Sequence, residues 1–147
     1  MEFKNSDIRK TILGEHEALR ARMKELQQAL EADPRDLSPA VKGAFSAFLE
    51  AFLRHIAHEE AILRPVLATI DAWAEKRVES MDAEHAEQRQ KLLELSRLDP
   101  AADPPGFAAR VRETLEWIRL DMAGEEKTVL SPDLLRDDII ILDTFGG

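Results

Sequence analysis

A histidine and a glutamate interrupt the most apolar helical pattern of the chain, in the segment RHIAHEEAILRP at 54–65. His55 and Glu59 are four residues apart, so on an α-helix their side chains lie on one face, one turn apart. Burying an imidazole and a carboxylate costs several kcal/mol unless both are satisfied, and a bound metal ion satisfies both. The same face carries an apolar stripe with spacings of four and three residues, formed by Val41, Phe45, Phe48, Phe52, Ile62 and Val66.

Three other segments repeat this pattern, each with a polar residue inside an apolar stripe. His16, His85 and Glu125 are the polar residues, and Asp121 lies one turn before Glu125. The apolar stripes are Ile8, Ile12, Leu19, Met23, Leu26 and Leu30; Val78, Met81, Leu92 and Leu95; and Val111, Leu115, Ile118, Met122 and Val129. Together with capping residues and prolines, the patterns predict helices over about 5–31, 38–66, 71–97 and 107–130. Pro65 is expected to kink the second helix near its end.

The connections between these segments are short, and the proline-rich break at 99–106, DPAADPPG, suits a link between neighbouring antiparallel helices. The sequence therefore predicts an all-α fold, an antiparallel up-down-up-down four-helix bundle with a short C-terminal extension. We expect residues 1–132 to form the bundle. Residues 133–147 are expected to form a tail that packs on the bundle or on a partner. The apolar run at 139–142 has no clear periodicity, so its conformation is ambiguous.

Composition narrows the possible partners and ligands. The chain has 29 Asp and Glu against 20 Lys and Arg, a net charge of −9, and no basic block, which argues against nucleic acid and anionic membranes. It has no cysteine, which excludes disulfides, zinc fingers, iron–sulfur clusters and thiol catalysis. Histidines and carboxylates remain as strong metal ligands. No apolar signal segment or membrane span is visible, so we expect a cytoplasmic protein.

The polar residues of the four stripes lie at similar heights along the predicted helices. Counted from the loop ends at about 1.5 Å per residue, His16, His55, His85 and Asp121 lie roughly 18 to 24 Å up the bundle. Glu59 and Glu125 lie one turn further. The convergence predicts one metal site with the ligands His16, His55, Glu59, His85, Asp121 and Glu125.

Several of these residues have a structural alternative. A buried histidine is more often a hydrogen-bonded structural group than a ligand. Asp121 is one position off its stripe, so solvation or an ion pair with Arg89 is an alternative to metal ligation. His58 is expected on the surface or behind the ligands. Glu60 and Glu126 follow two ligands on the outer side, where they are either solvated or orient a ligand.

The motifs resemble those of the hemerythrin-like (HHE cation-binding) family over about residues 7–132. The matching stretches are EHEALR around His16, HIAHEEAILRP with His55 and Glu59, AEH at His85, and DMAGEEKTVLSP with Glu125. The resemblance implies a four-helix bundle with a non-haem iron site, usually two irons bridged by carboxylates and oxygen. Dioxygen, another diatomic molecule or peroxide is then the expected ligand. Manganese and zinc are alternative metals.

Two positions depart from the family pattern. The fourth helix carries Asp121 where the family tends to have the histidine of a His-x-x-x-Glu unit. The family's extra third-helix histidine falls at Arg89. Three imidazoles and three carboxylates remain, which leaves a cluster with two ferrous ions close to neutral. More carboxylate favours ferric iron, so we expect redox response or oxidation over fully reversible oxygen carriage. A sensor or binding protein is the expectation, with weak oxidase or peroxidase activity as the alternative.

The second functional hypothesis is an interaction module. In that case the site is degraded and holds zinc or nothing, and the apolar tail docks on a partner or on a second copy of the chain. Metal content separates the two hypotheses.

Overall fold

The computed structural model describes residues 4–32 and 39–137, and all regular structure within these ranges is helical. The four long helices are α1 (Asn5–Ala32), α2 (Pro39–Ile62), α4 (Ala74–Arg97) and α5 (Pro104–Lys127), and a short α3 (Arg64–Leu67) follows α2. The prediction of an all-α chain with four long helices is confirmed, and the helices are consistent with a four-helix bundle. The alternating up-and-down order stays a prediction.

The end of α2 differs from the prediction of one helix through residue 66. Proline has no N–H, so Pro65 cannot donate to the carbonyl of Ala61, and the helix breaks before it. The backbone N–H of Leu63 still donates to the Glu59 carbonyl at 2.9 Å, whereas the N–H of Val66 turns to the Leu63 carbonyl at 3.1 Å. The proline therefore separates α3 from α2.

Local hydrogen bonds also set the starts of α4 and α5. Asp71 accepts a bond from the backbone N–H of Trp73 at 2.8 Å, and α4 begins after this turn, three residues later than predicted. Asp103 caps α5 by accepting from the N–H of Gly106 at 3.2 Å. This helix thus begins earlier, at Pro104, and ends at Lys127.

Two apolar clusters fill the interior, and His16, Glu59 and His85 each lie in sequence between a residue of one cluster and a residue of the other. In α1, for example, Ile12 belongs to the smaller cluster, Leu19 belongs to the larger one, and His16 lies between them. The predicted α1 stripe is buried throughout. After His55 the buried apolar residues are Ile56 and, just beyond α2, Leu63, whereas Glu59 of the predicted stripe stays buried. The predicted stripe residues Phe45, Ile62 and Val66 are only partly buried.

The first part of the predicted tail packs against the start of α1. Asn5 donates a side-chain hydrogen bond to the Arg136 carbonyl at 2.9 Å, and the Ser6 hydroxyl donates to Asp137 at 2.8 Å. Leu135 is buried in the smaller apolar cluster. The apolar run at 139–142 lies outside the described residues. None of the helices within the described ranges combines the length and the apolarity needed to cross a membrane.

Candidate metal centre

Three buried histidines converge on the carboxylate of Glu59, which is only 1% exposed. Its Oε1 lies 2.5 Å from Nε2 of His55 and 3.6 Å from Nε2 of His16. Its Oε2 lies 3.0 Å from Nε2 of His85. Residues from α1, α2 and α4 therefore meet at one depth, as the stripe pattern predicts.

The innermost atoms of this cluster lack hydrogen-bond partners. Three buried atoms make no hydrogen bond of normal geometry, namely Nε2 of His16, Oε1 of Glu59 and Oε1 of Glu125. This holds for Oε1 of Glu59 although Nε2 of His55 lies close to it. One ligand atom each from His16, His55 and Glu59 lies within 4.8 Å of the other two. An unsatisfied buried polar group costs about 1 to 3 kcal/mol. A cation placed among these atoms would satisfy them together, so the residues present fit a metal ion.

Each buried histidine also has its second ring nitrogen, Nδ1, against a glutamate of another helix. The pairs are His16 with Glu126 at 2.8 Å, His55 with Glu15 at 2.8 Å, and His85 with Glu60 at 3.0 Å. An ionised carboxylate only accepts hydrogen bonds, so Nδ1 is the donor in each pair. A neutral imidazole held in this way keeps the lone pair of Nε2 for a metal.

The three outer glutamates are in turn contacted by arginine or histidine side chains. Arg20 donates to Glu126 at 2.7 Å, Arg89 lies 2.8 Å from Glu60, and His58 contacts Glu15. Arg89, the alternative ion-pair partner of Asp121, lies instead against Glu60. Glu60 and Glu126 lie behind ligand candidates, and His58, 40% exposed, lies one contact further out.

A second group of carboxylates faces a pocket between α4 and α5. Glu84, Asp121 and Glu125 line it together with His85, and the pocket has a volume of about 460 Å³. Asp121 accepts a hydrogen bond from the Gln88 amide at 3.3 Å, and the same amide lies 3.4 Å from Glu84. We call Glu84, Asp121 and Glu125 the acidic side of the centre, and His16, His55, His85 and Glu59 the histidine side.

On the histidine side, contacts between opposite charges outweigh burial. Burial alone would lower the pKa of His55, but Glu59 and Glu15 raise it above its ordinary value. Burial and the carboxylates of Glu59 and Glu60 compete in the same way at His85, whose pKa is also raised. Burial would raise the pKa of Glu59, yet contacts with the three histidines hold it well below the usual range.

On the acidic side, burial and like charges act in the same direction. Burial, and then the charge of Glu59, raise the pKa of Glu125 well above its ordinary value. Burial and the charge of Asp121 raise the pKa of Glu84 to about 7. Burial also raises the pKa of Asp121, although the Gln88 amide opposes it. These carboxylates therefore have less counter-charge around them than Glu59 has, although Oε1 of Glu125 lies 3.8 Å from Nε2 of His16.

Two residues of the centre were missed by sequence reasoning. Glu15 and Glu84 directly precede His16 and His85, and a charged residue next to a stripe usually marks a solvated face. A flanking glutamate is about 100° around the helix from the ligand, which points it at the neighbouring helix. The signal that could have found them is the repeated pairing of a ligand candidate with an adjacent glutamate.

The fold and the cluster together define an all-helical protein with a candidate cation site of histidines and carboxylates. The family model described as "Hemerythrin HHE cation binding domain" matches residues 7–131, and the chain belongs to this family. No curated protein and no solved structure matched the chain. Family membership implies cation binding, and the His16, His55 and Glu59 cluster is suited to it.

Proposed function

We propose that the protein binds two iron ions at this centre and binds, senses or reacts with dioxygen, nitric oxide or peroxide. The observation that carries the proposal is the set of buried, unpartnered ligand atoms that face one another. When bound, iron would supply the redox chemistry. The residues proposed to hold it are His16, His55, Glu59, His85, Asp121 and Glu125.

The charge balance of these residues supports two divalent ions. Three carboxylates offset three of the four positive charges of two ferrous ions, so the occupied centre would be close to neutral, as a low-dielectric interior requires. Nitrogen and oxygen ligands suit iron and manganese, with zinc as a further candidate. The high share of carboxylate favours ferric iron, which supports redox response or sensing over reversible oxygen transport.

The pocket between α4 and α5 supports access by a small ligand. It reaches His85 and Glu125 and is open to solvent beside Leu120, which is 64% exposed. Gly124 adds free space on the same wall, because a Cβ atom there would meet nothing within 4 Å. A diatomic molecule or peroxide is small enough to enter such a pocket.

The test is the metal content of the protein purified without chelator and then loaded anaerobically with ferrous iron. After desalting, we expect two irons per chain, and admission of air should produce the near-ultraviolet absorption of ferric iron. Parallel loading with manganese and zinc establishes the preference among metals. Binding of zinc alone, or failure of all three metals to bind in stoichiometric amounts, would contradict the proposal and favour the interaction module.

A further inference from the structure

We propose that Glu15, Glu60 and Glu126 are positioning residues, which set the metal affinity of the centre by holding the three buried histidines with Nε2 directed inward. The inference rests on the proposed metal binding and assigns part of the affinity to residues outside the ligand set. The three glutamates contact Nδ1, which lies on the edge of each imidazole ring opposite the candidate metal position.

One arrangement is built three times, from three different helix pairs. The Nδ1 contacts join α1 to α5, α2 to α1 and α4 to α2, at 2.8, 2.8 and 3.0 Å. An imidazole has two nitrogens, so a donor bond at Nδ1 fixes both the tautomer and the ring plane and leaves Nε2 as the metal-facing atom. In all three cases Nε2 lies within 3.6 Å of a Glu59 oxygen.

Each positioning glutamate is itself held by a side chain on its outer side. One Arg20 nitrogen donates to both oxygens of Glu126, at 2.8 and 2.7 Å, and Arg89 lies 2.8 Å from Glu60. A planar guanidinium restrains a carboxylate more tightly than a flexible ammonium group does. Glu15 uses one oxygen for His55 and the other for His58. The carboxylates are therefore oriented before any metal arrives.

The experiment compares Glu126→Ala and Glu126→Gln with the wild-type chain, with zinc as the probe in competition with a chromophoric chelator. We expect zinc affinity to fall about 10- to 100-fold in Glu126→Ala, the usual effect of losing such a ligand-supporting contact. Glu126→Gln should lose less, because the amide oxygen still accepts from Nδ1 of His16. Glu17→Ala is the matched control, since Glu17 also bonds Arg20, at 3.0 Å, but is 78% exposed. Its zinc affinity should equal that of the wild type.

A second readout separates positioning from general stability. In the zinc-loaded wild type, nitrogen-15 NMR should show a slowly exchanging Nδ1–H on His16, and Glu126→Ala should lose this signal while the other histidines keep theirs. Glu60→Ala, observed at His85, provides an independent variant if Glu126→Ala does not fold. Unchanged zinc affinity in folded Glu126→Ala, or an equal loss in Glu17→Ala, would overturn the inference alone. A wild-type chain that binds no metal would overturn the proposed function together with it.

Discussion

The histidine side and the acidic side of the centre handle buried charge in opposite ways. On the histidine side Glu59 contacts three imidazoles, and each imidazole has a second carboxylate behind it. On the acidic side Glu84 and Asp121 face one another, and the neutral amide of Gln88 is the group that bridges them. The histidine side thus places opposite charges next to one another, whereas the acidic side places carboxylates next to other carboxylates.

This difference predicts different behaviour toward metal. The histidine side is buried and oriented without an ion, so it should bind the first ion with little rearrangement. The acidic side opens to a pocket and carries carboxylates whose pKa values are raised. A cation there must displace protons or relieve repulsion, which makes the second ion weaker and more dependent on pH.

Glu59→Gln should have the largest effect, because this carboxylate is the hub of the histidine side. We expect metal content to fall to near zero. The metal-free variant should also lose about 3 to 5 kcal/mol of unfolding free energy, since the three histidines keep their burial and lose their shared anion. Elemental analysis and urea unfolding measure the two effects.

The control for this variant is Glu50→Gln on the same helix. Glu50 pairs with Arg54 at the same spacing of four residues, but its side chain is 74% exposed. Its metal content and stability should stay at wild-type values. Retention of two irons by Glu59→Gln would contradict the role of the histidine side.

Metal removal should have the next largest effect. An ion present at 100 times its dissociation constant stabilises the native state by about 2.7 kcal/mol, which for a chain of this length raises Tm by about 10 °C. Calorimetry of iron-loaded protein with and without excess chelator measures the shift. The Glu59→Gln variant should show none, and an equal shift in that variant would place the stabilising ion elsewhere on the chain.

The helical period predicted the inner part of this centre well. Within one helix, the spacing alone fixes which residues share a face, so His16, His55, Glu59 and His85 could be placed in buried stripes without coordinates. Burial of these four residues agrees with that prediction. The similar heights of these residues along their helices also predicted that their side chains lie in one layer.

The outer residues could not be predicted in the same way, because their contacts depend on how neighbouring helices are rotated. Glu15 precedes His16 in the chain but supports His55, a partner 40 residues away. Arg89 was an alternative partner for Asp121 and instead engages Glu60. The burial of Ile56 and Leu63 in place of the predicted stripe residues has the same cause. Packing against the neighbouring helices decides which side of the α2 segment is buried.

Asp121→Ala should affect only the acidic side of the centre. We expect the second ion to bind about 10- to 100-fold more weakly, while one ion per chain remains on the histidine side. Stepwise iron titration followed by elemental analysis distinguishes the two ions. Glu116→Ala is the control on the same helix, because Glu116 is 56% exposed and pairs with Arg119. Loss of both ions in Asp121→Ala would show that the two sides are not separable.

Glu84→Gln should give the smallest effect and the most direct view of the repulsion. The pKa of Glu84 is raised from an ordinary value of 4.5 to about 7, so between these pH values the metal-free native state binds more protons than the unfolded chain. Its stability therefore falls as pH rises through this window, and the full cost is present above it. Urea unfolding in chelator should show Glu84→Gln more stable than the wild type at pH 8 by about 1 kcal/mol, a value reduced for solvent screening.

At pH 4 the gain from Glu84→Gln should vanish, because Glu84 is then protonated in both states. The raised pKa values of His55 and His85 also make stability fall as pH rises, and they do so in both proteins. Glu79→Gln, at an exposed position of α4, should change nothing at either pH. An equal gain at pH 4 would mean that Glu84 acts through packing. A gain confined to high pH would show that repulsion on the acidic side is what a second cation would relieve.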